Sequence, residues 1–232
     1  MPAALTLRYS SIPDDFFRAK NMNNKIFQID PENPQPDVIK QAADAIKKGG
    51  VIVFPTWCLY GLAADAFNTK AIDKVFAIKN RRPENPLLIL IKNRNELKKF
   101  VTEIPDTAKR IMDDFWPGRV TIIFKAKETI PDSLTAGTGK IGIRLPEHPV
   151  ALALLEQLEN PVTGTSANIS NDPGCNDINK MAGAVTDQAD CTLDAGKLNG
   201  GIGSTIIDVT CNPPAILRDG EIPAEEIIKI IS

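Results

Sequence analysis

Lys79-Asn80-Arg81-Arg82 places three fixed cations within four residues at the end of a helix-like stretch. The ordinary use of such a cluster is to complement the negative end of a helix dipole on a solvated face. Its chemical use is phosphate binding, because a guanidinium fork and a movable ammonium both suit phosphate oxygens. The stiff segment Pro83-Glu84-Asn85-Pro86 favours the chemical use, since it would hold the preceding side chains in place. Upstream, the apolar run Val51-Ile52-Val53-Phe54 breaks into Pro55-Thr56-Trp57-Cys58, a loop of hydroxyl, aromatic and thiol. Downstream, Thr163-Gly164-Thr165-Ser166-Ala167-Asn168 is dense in small polar groups that would equally make a helix N-cap. Strand-end loops and a cationic helix end facing one cavity are how an α/β domain builds a site for a phosphate-bearing ligand.

Three more stretches end strands in groups able to do chemistry. Ile141-Gly142-Ile143-Arg144-Leu145 carries an arginine that would otherwise be an edge-strand charge. Gly200-Gly201-Ile202-Gly203-Ser204-Thr205 is a glycine-rich turn, and it lacks the Gly-Lys-Ser/Thr ending of a Walker loop. Ala215-Ile216-Leu217-Arg218-Asp219-Gly220 closes another strand with an arginine. His148 is the only histidine, and Glu147-His148-Pro149 before a helix reads as a turn rather than as a general base.

The elements that position these groups follow from periodicity. Residues 37–48 put Ile39, Ala42, Ala43 and Ile46 on one helical face and stop at Gly49-Gly50. Residues 69–79 repeat the pattern with Ile72, Val75, Phe76 and Ile78. Further helices are expected over 96–101, 106–115, 150–158 and 224–231. Strands are expected over 26–29, 51–54, 87–91, 120–124, 141–145, 162–165, 191–193, 204–209 and 215–217, with an extended piece over 63–66. Residues 131–139 read as turns, and Trp116 as a core or hinge aromatic. Helices and strands interleave irregularly, so a mixed sheet fits better than a doubly wound parallel one. No repeat or linker divides the 232 residues, so one domain is expected over 25–232, behind a loosely ordered arm over 1–24.

Composition sets outer bounds. An apolar fraction of 43% and a charged fraction of 24% are those of a soluble globular protein. A net charge of −2 gives no global pull toward nucleic acid. Cys58, Cys175, Cys191 and Cys211 are scattered, which argues for reduced thiols rather than a zinc ribbon or a disulfide framework. With no apolar run near the ~20 residues that span a bilayer, and no basic-then-apolar start, a cytoplasmic protein without membrane contact is expected.

Taken in order, Pro55-Thr56, Lys79-x-Arg81, Trp116-Pro117-Gly118, Ser166-Ala167-Asn168, Ser204-Thr205-Ile206-Ile207-Asp208 and Leu217-Arg218-Asp219-Gly220 resemble the YrdC-type threonylcarbamoyl-AMP synthases. The resemblance runs over about residues 26–230. It implies an α/β (α+β) fold, a single YrdC-like domain with a twisted mixed sheet, flanking helices and a large concave face. It implies a nucleotidyltransferase, an L-threonylcarbamoyladenylate synthase serving N6-threonylcarbamoyladenosine modification of tRNA. On that resemblance Lys79 and Arg81 steady the α-phosphate of ATP, and Asn85, Lys140, Ser166, Asn168, Gly174 and Arg218 contact the nucleotide. Thr56, Cys58, Arg144, Gly164 and Ser204 hold L-threonine. Mg²⁺ would arrive with ATP rather than on a protein metal site. Bicarbonate is the third substrate, and the product would pass to a tRNA-modifying threonylcarbamoyl transferase complex.

The chain departs from the family pattern at four positions. Trp57-Cys58 replaces an acid and a threonine, Leu90 stands where some members have a substrate-facing histidine, and Arg119 replaces a proline after Trp116-Pro117-Gly118. The accessory C-terminal domain of longer members is not expected. Three rival readings follow. One is a double-stranded RNA or ribosomal RNA binder using Lys47, Lys48, Arg82 and the cations of 92–99, against which stand the acidic balance and the lack of interleaved aromatics. Another is a carbamoyl-adenylate enzyme of the hydrogenase-maturation type, for whose extra modules the chain has no room. The third is a relative that acts on a different amino acid.

Overall fold

The computed structural model describes residues 25–231, so the arm expected over 1–24 lies outside the described residues. Among them, ten strands form one mixed sheet. These are β1 (Lys25–Gln28), β2 (Ile52–Pro55), β3 (Tyr60–Ala63), β4 (Leu88–Leu90), β5 (Val120–Lys125), β6 (Lys140–Arg144), β7 (Val162–Ser166), β8 (Cys191–Asp194), β9 (Thr205–Asp208) and β10 (Ala215–Arg218). Their order across the sheet is β1-β8-β2-β3-β7-β4-β6-β5-β9-β10. The pairs β1–β8, β8–β2, β4–β6 and β5–β9 are parallel and the rest antiparallel. The mixed sheet expected from the sequence is therefore present.

Eight α-helical segments flank it: α1 (Pro36–Lys47), α2 (Thr69–Lys79), α3 (Leu97–Phe100), α4 (Asp106–Phe115), α5 (Asp132–Thr135), α6 (Pro149–Glu156), α7 (Gly183–Thr186) and α8 (Ala224–Ile231). None is long and apolar enough to cross a membrane. Two departures from the sequence reading stand out. The second extended piece is Tyr60–Ala63 rather than 63–66, and the one-turn helices α5 and α7 fall in stretches read as turn or left unread.

Because successive strand residues point to opposite faces, the sheet has two surfaces to cover. On one, Ile72 of α2, Ile111 of α4 and Ile227 of α8 pack against Val53, Ile89, Ile122 and Ile207 in a continuous core. On the other, Ile39 and Ile46 of α1 and Val150 and Leu154 of α6 pack against Ile52, Ala63, Leu90 and Val162. Each such isoleucine or leucine contributes roughly 1.5–3 kcal/mol on leaving water. This second face continues past α1 and α6 along Phe54, Gly61, Leu88, Gly142 and Gly164, where it floors a cleft. In register, Gly164, Leu88 and Gly142 lie side by side across β7, β4 and β6. A Cβ on Gly164 would meet Leu88 Cδ1 at 2.6 Å and Leu90 Cδ2 at 2.9 Å, so the floor stays low only with glycine there.

Helix ends fix how the chain enters this cleft. α1 ends in a Schellman arrangement: Gly50 N–H reaches Ala45 O at 2.9 Å, Gly49 N–H reaches Ile46 O at 2.8 Å, and Gly49 has φ +77°. α2 ends the same way around Asn80 (φ +47°), with Arg81 N–H on Phe76 O at 2.9 Å. That turn separates Lys79 from Arg81. At α6, His148 is the N-cap, its Nδ1 accepting Val150 N–H at 3.2 Å, and Pro149 opens the helix. The motif is a helix start, as the turn reading implied.

His148 is 6% exposed, and burial holds its pKa at about 4 against the weaker opposing pull of Glu147. Between pH 6.5 and about 4 the unfolded chain takes up a proton that the folded chain excludes, so stability falls as pH falls through that window. His148→Asn keeps a capping oxygen and removes the titration. In urea denaturation the wild type should lose about 1–3 kcal/mol more than His148→Asn between pH 6.5 and pH 4. Parallel pH profiles for the two proteins would contradict this.

Candidate active site

A cleft of about 570 Å³ opens on the uncovered part of the second face. At one end Arg81 enters it from the end of α2. Its Nε donates to Asn85 O at 3.3 Å and its Nη2 to Pro86 O at 2.8 Å, so the proline-flanked segment does brace the guanidinium. Asn85 itself is exposed outside the lining and takes part through its backbone carbonyl.

Lys79 does not line the cleft. Only 2% exposed, its ammonium sits behind the wall and donates to Ser166 O at 2.5 Å, Asn168 O at 2.9 Å and Asn168 Oδ1 at 3.0 Å. Burial, and after it the charge of Arg81, lowers its pKa to about 8. Lys79 thus meets the cleft through the Ser166–Asn168 loop, which its ammonium holds from behind. Asn168 is used up in the same loop, accepting from Ser166 Oγ at 2.5 Å and donating to Ile169 O and Asp172 O at 3.0 and 2.6 Å. No helix starts here. Ser170 N–H instead returns to Lys79 O at 2.7 Å, which excludes the N-cap reading. Ser166 and Asn168 line the cleft, as does Gly174, beside Leu59.

At the sheet centre Arg144 occupies the last position of β6, opposite Leu90 of β4. Its Nε is buried with no hydrogen-bond partner. Burial lowers the guanidinium pKa to about 10, with Cys58 acting in the opposite sense, so it remains a cation at neutral pH. An unpaired buried donor costs roughly 1–3 kcal/mol, a cost an incoming carboxylate would remove. Leu90, fully buried under α1 and α6, does not reach the cleft.

Cys58 and Thr56 come from the β2–β3 turn, which Thr56 closes by donating its hydroxyl to Leu59 O at 2.6 Å. Burial, with Glu221 next, raises the Cys58 thiol above its ordinary range, so it is a neutral, weakly polar wall group. Ser204 Oγ lies 2.9 Å from Thr121 Oγ1 and accepts Arg218 Nη2 at 3.2 Å. Arg218 also donates twice to Ser204 O, at 3.0 and 2.6 Å, which fixes the guanidinium on the β9–β10 edge. This approach needs Gly220, where a Cβ would stand 2.4 Å from the backbone of Ser204 and Thr205.

Lys140 lies at the start of β6, on the same face but beyond the cleft lining, and pairs with Asp208 at 2.9 Å. Thr121 was missed as a site residue, although a polar side chain facing the same way as Ile123 in an otherwise apolar strand is the signal that could have found it. Asp172 and Pro173 also line the cleft, and nothing local in their sequence marks them. Of the cations put forward as an RNA surface, three make internal bonds: Arg94 to Asp113, Lys92 to Leu158 O and Lys99 to Glu96.

The cleft therefore offers three guanidiniums from segments far apart in sequence, hydroxyls and backbone around them, and no acid–base pair. The Sua5/YciO/YrdC family model, described as "Telomere recombination", matches residues 44–220. The threonylcarbamoyl-AMP synthase of Pyrococcus abyssi is 37% identical over 193 residues, 83% of this chain and 57% of that protein. That of Bacillus subtilis is 34% identical over 205 residues, 88% of this chain and 58% of the relative. The chain thus spans less than two thirds of the length of these relatives. The crystal structure of P. abyssi Sua5 complexed with L-threonine matches with a TM-score of 0.85 at 36% identity, covering 89% of this chain and 61% of that one. E. coli YciO matches with a TM-score of 0.78 at 30% identity, covering 85% and 96%. The chain belongs to the Sua5/YciO/YrdC family.

Proposed function

We propose that the chain forms L-threonylcarbamoyladenylate and pyrophosphate from L-threonine, bicarbonate or CO2, and ATP. The observation that carries this reading is the convergence of Arg81, Arg144 and Arg218 on one cleft whose deepest guanidinium has a free donor. Support comes from relatives of that name at 37% and 34% identity and from the P. abyssi structure solved with L-threonine.

Threonine's free amine adds to CO2 and gives up a proton to water, and an oxygen of the resulting carbamate attacks the α-phosphorus of ATP as pyrophosphate leaves. The nucleophile is already anionic, so the protein needs no activating base. His148 could not serve: its Nδ1 is engaged at the helix start, and it lies outside the cleft lining. What the site supplies is fixed positive charge where phosphoryl oxygens gain negative charge, and alignment of the reactants. Arg81 and Arg218 take the phosphates, and Arg144 takes the threonine carboxylate. Thr121 and Ser204 meet the amino acid's polar groups. Lys79 acts through Ser166 and Asn168, holding their loop against the nucleotide. Among the described residues Asp172 alone brings a carboxylate to the cleft lining, so the protein builds no Mg²⁺ cage of its own there. The ion would instead come bound to the triphosphate, screening its charge. The product would serve threonylcarbamoylation of tRNA, a reaction we assign to the cytoplasm.

Cys58 in the cleft wall favours one second reading, the same chemistry on another small amino acid. Pyrophosphate release from ATP and bicarbonate, measured across the twenty amino acids, tests both. Threonine-dependent release is expected, whereas release that ignores every amino acid would overturn the proposal.

Arg81→Ala should cut turnover on the order of 100-fold or more with an unchanged melting profile; wild-type turnover would remove Arg81 from the mechanism. Arg144→Gln should raise the threonine KM about 10- to 100-fold and leave that of ATP, and a selective rise for ATP would reverse the assignment. For Lys79→Met, a several-fold rise in ATP's KM with threonine's unchanged is expected. Collapse of turnover with both KM values intact would instead mean a direct role at the phosphorus.

A further inference from the structure

Arg119 stands where the family pattern has a proline, and its surroundings join every segment on the amino-acid side of the cleft. Its Nε lies 2.9 Å from Glu147 Oε1, and its Nη1 lies 3.9 Å from Glu221 Oε2. The guanidinium carbon sits 4.7 Å from the ring centroid of Trp57. Its backbone carbonyl accepts Thr205 N–H at 3.0 Å, next to Ser204. Each partner adjoins a group already placed in the cleft. Trp57 lies between Thr56 and Cys58. Glu147 follows Arg144 by three residues, and Glu221 follows Arg218 by three.

Glu221 extends the cluster further. Its Oε1 accepts Ile202 N–H at 2.9 Å, anchoring the glycine-rich turn that closes the cleft's edge. Gly201 permits this approach, since a Cβ there would overlap the same oxygen at 2.0 Å and would stand 3.2 Å from Cys58 Cβ. Cys58, Arg144 and Ser204 line a small void of about 20 Å³ together with Trp57, Arg119, Glu147 and Glu221, so the cluster and these three cleft groups border one space. One cation here offsets part of the charge of two carboxylates. Without it, Glu147 and Glu221 would leave unbalanced negative charge beside a site that must accept an anion.

From this we infer that Arg119 is a positioning residue for the amino-acid substrate. It sets the wall formed by Cys58, Arg144 and Ser204 and offsets part of the negative charge of Glu147 and Glu221, without touching the substrate. The inference rests on the reading of this half of the cleft as the threonine site. It also explains how the chain does without the family's proline and acid: an ion pair and a stacked indole take over the stiffening of the turn.

The test is calorimetric binding of L-threonine to the whole chain, alongside KM values for threonine and ATP from pyrophosphate release. Arg119→Ala should weaken threonine roughly five- to ten-fold in both Kd and KM, with ATP's KM moving less than about two-fold. Arg119→Lys restores the charge without the fork and should recover to within about two- to three-fold of wild type, which also serves if the alanine variant folds poorly. Unchanged threonine affinity in Arg119→Ala would overturn the inference while leaving the functional reading intact. Equal weakening of threonine and ATP, or no recovery in Arg119→Lys, would overturn it too. A wild-type chain that binds ATP but no threonine would defeat the functional reading, and the role of Arg119 with it.

Discussion

A sheet of ten strands has two faces to bury, and this chain covers one of them fully and the other only in part. α1 and α6 shield the second face as far as Ile52, Ala63, Leu90 and Val162. Beyond that line the same face runs on without a helix over it, and glycine, threonine and arginine enter it among Phe54, Leu88, Ile123 and Ile206. An apolar continuation would have left an exposed hydrophobic patch. A row of small residues gives depth instead, and strand-end arginines bring charge into it. The location of the site thus follows from where the helices stop.

The electrostatics inside the cleft have a division of labour that residue types alone do not reveal. Lys79 and Arg81 are neighbours in sequence, yet Asn80 in a left-handed conformation sends one behind the wall and the other into the cleft. The buried ammonium grips three oxygens of the Ser166–Asn168 loop and keeps it rigid. Arg81 and Arg218 are themselves braced by backbone carbonyls, so their forks are oriented before any ligand arrives. Such preorganisation is what a reaction of already charged partners needs, since no proton has to be shuttled at the phosphorus.

Much of the fold was legible because the apolar stripes are strong. Thr69–Lys79 and Asp106–Phe115 were readable to the residue, since periodicity and end signals agree there. β3 was displaced by three residues because Tyr60-Gly61-Leu62 carries no polar alternation; it is buried on both faces. The one-turn helices α5 and α7 are too short for any period to register. In the site, residues at strand ends were legible as types, and the cleft gathers Thr56, Cys58, Arg81, Arg144, Ser204 and Arg218 from them. The placement of Lys79, Asn85 and Lys140 was not legible. It depends on which partner lies within reach, and those partners lie 87, four and 68 residues away in sequence. Thr121 was hidden for a different reason, its face being set by pairing with β6 and β9.

The central claim is that Arg144 waits for an amino-acid carboxylate while Arg81 and Arg218 receive the phosphates beside it. A crystal structure of the chain with L-threonine and a non-hydrolysable ATP analogue tests this most directly. The expected result is the threonine carboxylate within about 3 Å of the Arg144 guanidinium, with the triphosphate against Arg81 and Arg218 in the same cleft. Either ligand bound outside that cleft, or Arg144 still lacking an acceptor with both ligands present, would contradict it.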